Sequence, residues 1–457
     1  MPQAPSCGAQ LRLAASLRLG YGLAECQPYG DKPPQEMPMD VTNPLFRKML
    51  QGIKVLDFTQ YLAGPAATRL LADLGADVLK IERTPDGDLG RKIHHVAPGL
   101  SGFFLATSAG KKSLALEIRH PEGQAIVREL VRQVDVVVEN YSPGVMAKYG
   151  FDYASLKAIN PKLIMCSISG FGQEGPYASF TSFDIIAQAQ SGVMAMTGEP
   201  DGPPQYVGNY IGDPNAGVHG ALAICAALYH RAMQGEGQYI DVSQLESLVY
   251  LDYINFPVSM MSEGRIKPRR FGGDFYSICP YGVYRSREGY VVLAVMQHQW
   301  GPLVRAMGKP ELENDPRYST QEARCARRPE VRAIAEAWLQ SQPDDATALR
   351  ILAEARVPSA PILEIPQVPE HPQIKARGLF QDLPHPDLGT TPIARMPFHF
   401  STTSVEIPFR APYLGEHNTE ILRTYLGYDD ARIAALNGAG TVVEDSRLAE
   451  LRETGRL

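Results

Sequence analysis

Gly52-Ile53-Lys54-Val55-Leu56-Asp57-Phe58, the turn at Ala63-Gly64-Pro65, and Ala76-Asp77-Val78-Leu79-Lys80-Ile81-Glu82 decide the fold. The first run is apolar and β-branched, as a buried strand is. Pro65 sits where a first helical turn tolerates proline. Leu70, Leu71 and Leu74 then recur at helical spacing, and Gly75 stops the helix. The second apolar run is another strand. Strand, helix and strand at this spacing make a right-handed crossover between parallel neighbours.

The unit repeats outward. Pro121–Val134 is an amphipathic helix with Ile126 and Leu130 on one face, Asp135–Glu139 a strand, and Leu163–Ser169 a further apolar strand. Such alternation predicts an α/β chain with a doubly wound, mostly parallel sheet and helices on both faces. Asn215–Gln234 reads as a long apolar helix and Val242–Met261 as a second. Its apolar stretch Ala216–Tyr229 is interrupted by Gly217, His219 and Gly220, too short for a span of roughly 18 residues, so a buried core helix is expected. Past Ser262 the sequence turns rich in Arg and Gly. Tyr281–Val295 reads as two strands around Arg287-Glu288-Gly289, helices run to about Ala355, and four prolines mark Val357–Pro369. These shifts divide the chain into an N-terminal extension (1–48), the first part of a large domain (49–261), a linker and smaller α+β domain (262–368), and a return segment with a tail (369–457).

Length agrees with that division: 457 residues, 44% of them apolar, exceed one core. The net charge of −6 argues against nucleic acid or an anionic membrane as partner, leaving room for a local basic pocket. Six cysteines form no CxxC pair, and ten histidines show no HxxxH or HExxH spacing, so free thiols in a reducing, cytoplasmic setting are expected and no metal centre. Met1–Ala24 contains Arg12 and Arg18 and no acid, and a Pro-rich stretch follows. It reads as a transit-like segment over 1–36, which would direct the chain to the mitochondrial matrix, as a disordered tail, or as sequence ahead of a true start at Met37, Met39 or Met49.

Four features carry candidate chemistry. Gly170-Phe171-Gly172-Gln173-Glu174-Gly175 matches GxGxxG after a strand, but Pro176–Thr181 has no helical period and no carboxylate stands about 20 residues on. A tight loop therefore outweighs a dinucleotide-dependent oxidoreductase. Asp213, in Gly212-Asp213-Pro214-Asn215, precedes the long helix. It reads as an N-cap with Pro at N1, or as a carboxylate nucleophile with helix N–H groups beside it to hold an oxyanion. Asp184, among apolar neighbours, is an exposed edge or a buried paired acid. Arg83, after a strand, is a phosphate-holding cation or a solvated strand end.

Taken in order, the marks resemble the class III CoA-transferases, the superfamily of formyl-CoA transferase, carnitine CoA-transferase and the 2-methylacyl-CoA racemases. The match runs from about Gln51 to Leu436. Besides the opening stretch, it includes Lys111-Lys112-Ser113-Leu114, Val138-Glu139-Asn140-Tyr141, Gly170–Tyr177, Gly212-Asp213, Gly235–Gln238, Pro280–Tyr284 and Leu414–His417. The resemblance implies an interlocked homodimer, or a heteromer with a paralogue, whose substrates are an acyl-CoA and a carboxylic acid, with no permanently bound cofactor. It places the nucleophile on Asp213, which would form a mixed anhydride and then an aspartyl-CoA thioester. It makes Asp184 a secondary acid, turns Gln60 toward the thioester, and assigns CoA to Arg83, Leu116, Asn140 and Lys148. Succinyl-CoA is the expected donor. Phe271-Gly272-Gly273-Asp274 lies near where some relatives keep a mobile glycine-rich lid, and it carries only two glycines. The racemase branch is the rival. Its proton-moving histidine aligns with Phe183 and its supporting carboxylate with Gln297, neither of which can act as a base.

Overall fold

The computed structural model describes residues 48–457. The expected extension and transit-like segment lie outside the described residues, save Lys48. Six strands form the central sheet: β1 (Lys54–Asp57), β2 (Asp77–Glu82), β3 (Lys111–Ala115), β4 (Val136–Glu139), β5 (Ile164–Ser169) and β6 (Tyr239–Ser243). All pair in parallel, in the order β3-β2-β1-β4-β5-β6. This is the doubly wound order, and the direction of winding reverses between β1 and β4. Ligands of such sheets bind at that reversal, outside the carboxyl ends of the strands.

Alternation along each strand builds a core on each face. Val55, Val78, Val136, Val138, Ile164 and Cys166 point to one side, onto the helices Ala63–Asp73 and Gly212–Gln234. Leu56, Leu79, Val137 and Met165 point to the other, onto Pro121–Val131 and the late helix Asn418–Leu426. The first two helices pack close enough that a Cβ on Gly217 would stand 2.7 Å from the Ala63 carbonyl oxygen. The C-terminal part holds to the sheet through Asn418, whose Oδ1 accepts from the Ala115 N–H at 2.9 Å. A separate cluster around Tyr284, Val291, Leu293 and Trp300 joins a three-stranded antiparallel sheet (Tyr281–Arg285, Tyr290–Ala294 and Ser359–Pro361) to the helices Arg328–Ser341 and Asp345–Glu354. Small two-stranded sheets, including Phe380–His385 with Gly389–Ala394, complete the α/β architecture. No helix among the described residues is long and apolar enough to cross a membrane.

Three expectations change. The long helix begins at Gly212, not Asn215, so Asp213 lies inside the first turn; the N-cap residue is Ile211, and no side chain of its own caps the helix. The same helix is not wholly buried: Val218, Leu222, Tyr229 and Met233 are exposed along one face. The helix read over Val242–Met261 is strand β6 followed by two helices. The Ser243 hydroxyl accepts from the Glu246 N–H and starts Gln244–Leu251; Asp252 accepts from the N–H groups of Ile254 and Asn255 and starts Asn255–Met261.

Candidate active site

The ends of the six strands supply the site. Gln60 follows β1, Arg83 β2, Leu116 β3, Asn140 β4, Gly170 β5 and Gln244 β6. A cleft of about 280 Å³ opens over β1, β4, β5 and β6, lined by Gln60, Tyr61, Asn140, Ser182, Phe183, Asp213 and Gln244 among others. Among the described residues, no Lys, Arg or His lines it.

Asp213 is held from two neighbouring helices. The Gln244 side-chain amide donates to its Oδ1. Its own N–H donates to Asp184 Oδ1 at 2.9 Å, so Asp184 serves as a helix cap from outside the helix. Asp184 is 2% exposed, and its other oxygen accepts from Gln188 Nε2 at 2.5 Å. Burial, and then the charge of Asp184, push the Asp213 carboxyl up to about 7. Gln60 reaches the cleft because its backbone is clamped: its N–H donates to Asn140 Oδ1 and its carbonyl accepts from Asn140 Nδ2, both at 2.8 Å.

A second cleft of about 360 Å³ lies over β2 and β3. Arg83 and Arg119 line it, and Tyr141 and Val145 line both clefts, so the two adjoin. Arg83 lies 3.6 Å from Asp86, and Arg119 is paired with Glu117. Both guanidiniums are largely solvated, so these pairs are weak and can yield to phosphate.

Beneath the clefts runs a buried ionic layer. Lys80 Nζ lies 2.8 Å from Asp88 and donates to the Thr59 carbonyl; Asp88 in turn accepts from the Tyr61 N–H. Asp57 accepts from Thr59, Thr68 and Lys111, and Glu82 takes a bidentate pair from Arg91. Against the upward push of burial, Arg91 and Lys80 hold the Glu82 carboxyl down to about 2, while burial holds Lys111 to about 8. Paired charges here fix the Thr59–Tyr61 loop and the loop after β2, the walls of both clefts.

A profile of CoA-transferase family III matches residues 50–418. The chain belongs to CoA-transferase family III. It is 40% identical to the succinate–glutarate CoA-transferase of Agrobacterium fabrum over 82% of this chain and 94% of that protein. It is 34% identical to the human succinyl-CoA:glutarate CoA-transferase over 86% of this chain and 90% of that one. Among solved structures, a CaiB/BaiF family protein from Brucella suis superposes with a TM-score of 0.75 at 37% identity, covering 82% of this chain and 99% of that one.

In this family III CoA-transferase, Asp213, Asp184, Gln60 and Asn140 come together at the first cleft, and Arg83 lines the second. Asn140 commits both polar atoms of its amide to the Gln60 backbone, so it shapes the cleft. Leu116 is 0% exposed in the core, its N–H bonded to the Glu82 carbonyl, so its side chain lines neither cleft. Lys148 is exposed on the last turn of Val145–Lys148 and lines neither cleft, whereas Val145 and Tyr149 do line the second. The Gly170–Gly175 loop runs through bends and turns, and no helix starts before Asp184, so it offers no helix N-terminus to a pyrophosphate. Phe183 lines the first cleft, its ring edge-on to Tyr61; Gln297 is bonded to Ser319 and Arg324 and lines neither cleft. The Gly272 N–H is tied to the Gly198 carbonyl and the Gly273 carbonyl to the Val283 N–H. Gln244 and Arg119 were missed. Both lie just past a parallel strand, the signal that could have found them.

Proposed function

We propose that this enzyme moves CoA from an acyl-CoA to a carboxylic acid through covalent intermediates on Asp213. The observation that carries the reading is a carboxylate, Asp213, in the cleft at the carboxyl ends of the parallel strands, next to a cleft lined by two guanidiniums. Asp213 Oδ2 attacks the donor thioester carbonyl and expels CoA thiolate, leaving a mixed anhydride. The thiolate attacks the aspartyl carbonyl carbon and releases the donor acid. The acceptor carboxylate displaces CoA from the resulting thioester, and CoA then attacks the acceptor half of the new anhydride. Each step exchanges one activated acyl bond for another, so the sequence needs no external energy source. Arg83 and Arg119 would hold the phosphates of CoA, with the pantetheine arm passing Tyr141 and Val145.

Short dicarboxylic acids are the proposed acids, with succinyl-CoA as donor, by likeness to the succinate–glutarate and succinyl-CoA:glutarate enzymes. Among the described residues, the first cleft presents no cation for a second carboxylate; hydroxyl and amide groups such as Ser182 and Gln60 line it. Phe183 in place of a base disfavours the racemase reading. The exposed row Val218, Leu222, Tyr229 and Met233 supports a dimer, since one helix face this apolar needs a cover. Incubation with succinyl-CoA and hydroxylamine should convert Asp213 to its hydroxamate, and an Asp213→Ala variant with full transfer activity would remove the proposal.

A further inference from the structure

We propose that the Gln244 side-chain amide is the oxyanion donor for the two steps that occur at the carbonyl carbon of Asp213. The inference rests on Asp213 being the nucleophile. Gln244 is 7% exposed, its Nε2 donates to Asp213 Oδ1, and its Oε1 accepts from the Ser182 hydroxyl at 3.3 Å, which turns the NH₂ group toward the aspartate. Ser182 can stand there because residue 170 is glycine: a Cβ on Gly170 would lie 2.1 Å from the Ser182 Cβ. Among the described residues, no protein donor reaches Asp213 Oδ2. One oxygen is therefore held and the other is free to attack.

The fate of the two oxygens follows. Oδ2 becomes the bridge of the anhydride. When CoA thiolate attacks Cγ, a C–S bond forms and the carbonyl electron pair moves onto Oδ1. On collapse the Cγ–Oδ2 bond breaks, and Oδ2 departs in the carboxylate of the donor acid. When the acceptor carboxylate attacks the aspartyl thioester, a C–O bond forms at the same carbon, charge gathers again on Oδ1, and the C–S bond breaks. No proton, oxidant or reductant is consumed. In both steps the developing charge lies on the atom that Gln244 already faces. The helix start does not supply the donor expected from its N–H groups. The Asp213 N–H is taken by Asp184, Pro214 has none, and the Asn215 N–H goes to the Ile211 carbonyl at 3.2 Å.

The test uses Gln244→Met, which keeps the length and removes the N–H, beside Ser182→Ala and Asp213→Ala. With succinyl-CoA and glutarate, Gln244→Met should lose about 10²–10³-fold in kcat, the cost of removing one oxyanion donor, with KM for succinyl-CoA changed less than about threefold. Ser182→Ala, which keeps the amide but frees its rotation, should lose less. With succinyl-CoA alone, the first step releases CoA thiolate and the second recaptures it. CoA caught as a mixed disulfide with an aryl disulfide should therefore rise in Gln244→Met over wild type, a readout that loss of packing would not move. Near-wild-type kcat with no rise in captured CoA, while Asp213→Ala is inactive, overturns the role of Gln244 and leaves the nucleophile standing. Full transfer by Asp213→Ala overturns both.

Discussion

Replacing Asp184 by Asn should move the acid limb of the pH–rate profile downward. Asp184 Oδ1 accepts from the N–H of Asp213 itself at 2.9 Å, which by standard covalent geometry sets the two carboxyl carbons about 5–6 Å apart. Unit charges at about 6 Å interact by about 3 kcal/mol at an effective dielectric of about 20, equivalent to about two pH units. Burial is the larger cause of the rise of Asp213 from 3.8 to about 7, so Asp184 carries less than half of it. The expected displacement is then about 1–1.5 pH units. Asn keeps the oxygen that accepts from Asp213, so the cap survives. Its NH₂ faces Gln188 Nε2, and the mismatch should cost about 1 kcal/mol of stability. The assay is kcat/KM for the acyl-CoA from about pH 5 to pH 9, which reports groups of the free enzyme. Wild type should fall off below about pH 7, and the variant only nearer about pH 6. An acid limb that stays in place, or moves upward, would refute the electrostatic coupling of the two aspartates.

Other outcomes follow from the same structure. A carboxyl whose native pKa lies above its unfolded value favours folding below the unfolded value, and the contribution is lost as pH rises through the native one. The rise of Asp213 to about 7 makes the ionised form cost about 4 kcal/mol at most. Asp213→Asn should therefore raise Tm at about pH 8.5 and do little at about pH 4, and equal effects at both would contradict this. Arg83→Ala should raise KM for the acyl-CoA by about tenfold or more, from loss of about 1.5–3 kcal/mol of charge-assisted bonding, with kcat nearly constant. Lys80→Met leaves Asp88 buried without its paired cation, while Asp57 keeps Lys111, and should cost about 3–5 kcal/mol in urea unfolding. Leu222→Asp, on the exposed helix face, should shift the molecular mass by light scattering toward that of a single chain; an unchanged mass would remove that face from the interface.

The sheet could be read in the sequence because its strands are nearly continuous apolar runs: Val55-Leu56 and Val136-Val137-Val138 are buried from both sides. β6 was not legible. Tyr239-Ile240-Asp241-Val242-Ser243 sits at the sheet edge with Tyr239 and Asp241 exposed, and its short alternating pattern runs straight into a helix. The proposed role of Asp213 was favoured over the cap only by family resemblance, since Asp followed by Pro reads locally as a cap and first turn. Asp184 was named as a candidate, but its bond to Asp213 was not legible, and Gln244 was not named at all. Asp184 and Gln244 stand 29 and 31 residues away and meet Asp213 only because two other helices start at the same rim. Leu116 and Lys148, assigned to CoA through the resemblance, show what a matched position leaves open: it does not say which way a side chain points, and here neither side chain lines a cleft.

The most direct test of the account is to mix the enzyme with succinyl-CoA in the absence of acceptor, quench with acid, and map the digest by mass spectrometry. The peptide containing Asp213 should gain the mass of CoA less one water, the gain should disappear on adding glutarate, and Asp213→Ala should show none. An adduct on another residue, or undiminished transfer by Asp213→Ala, would contradict it.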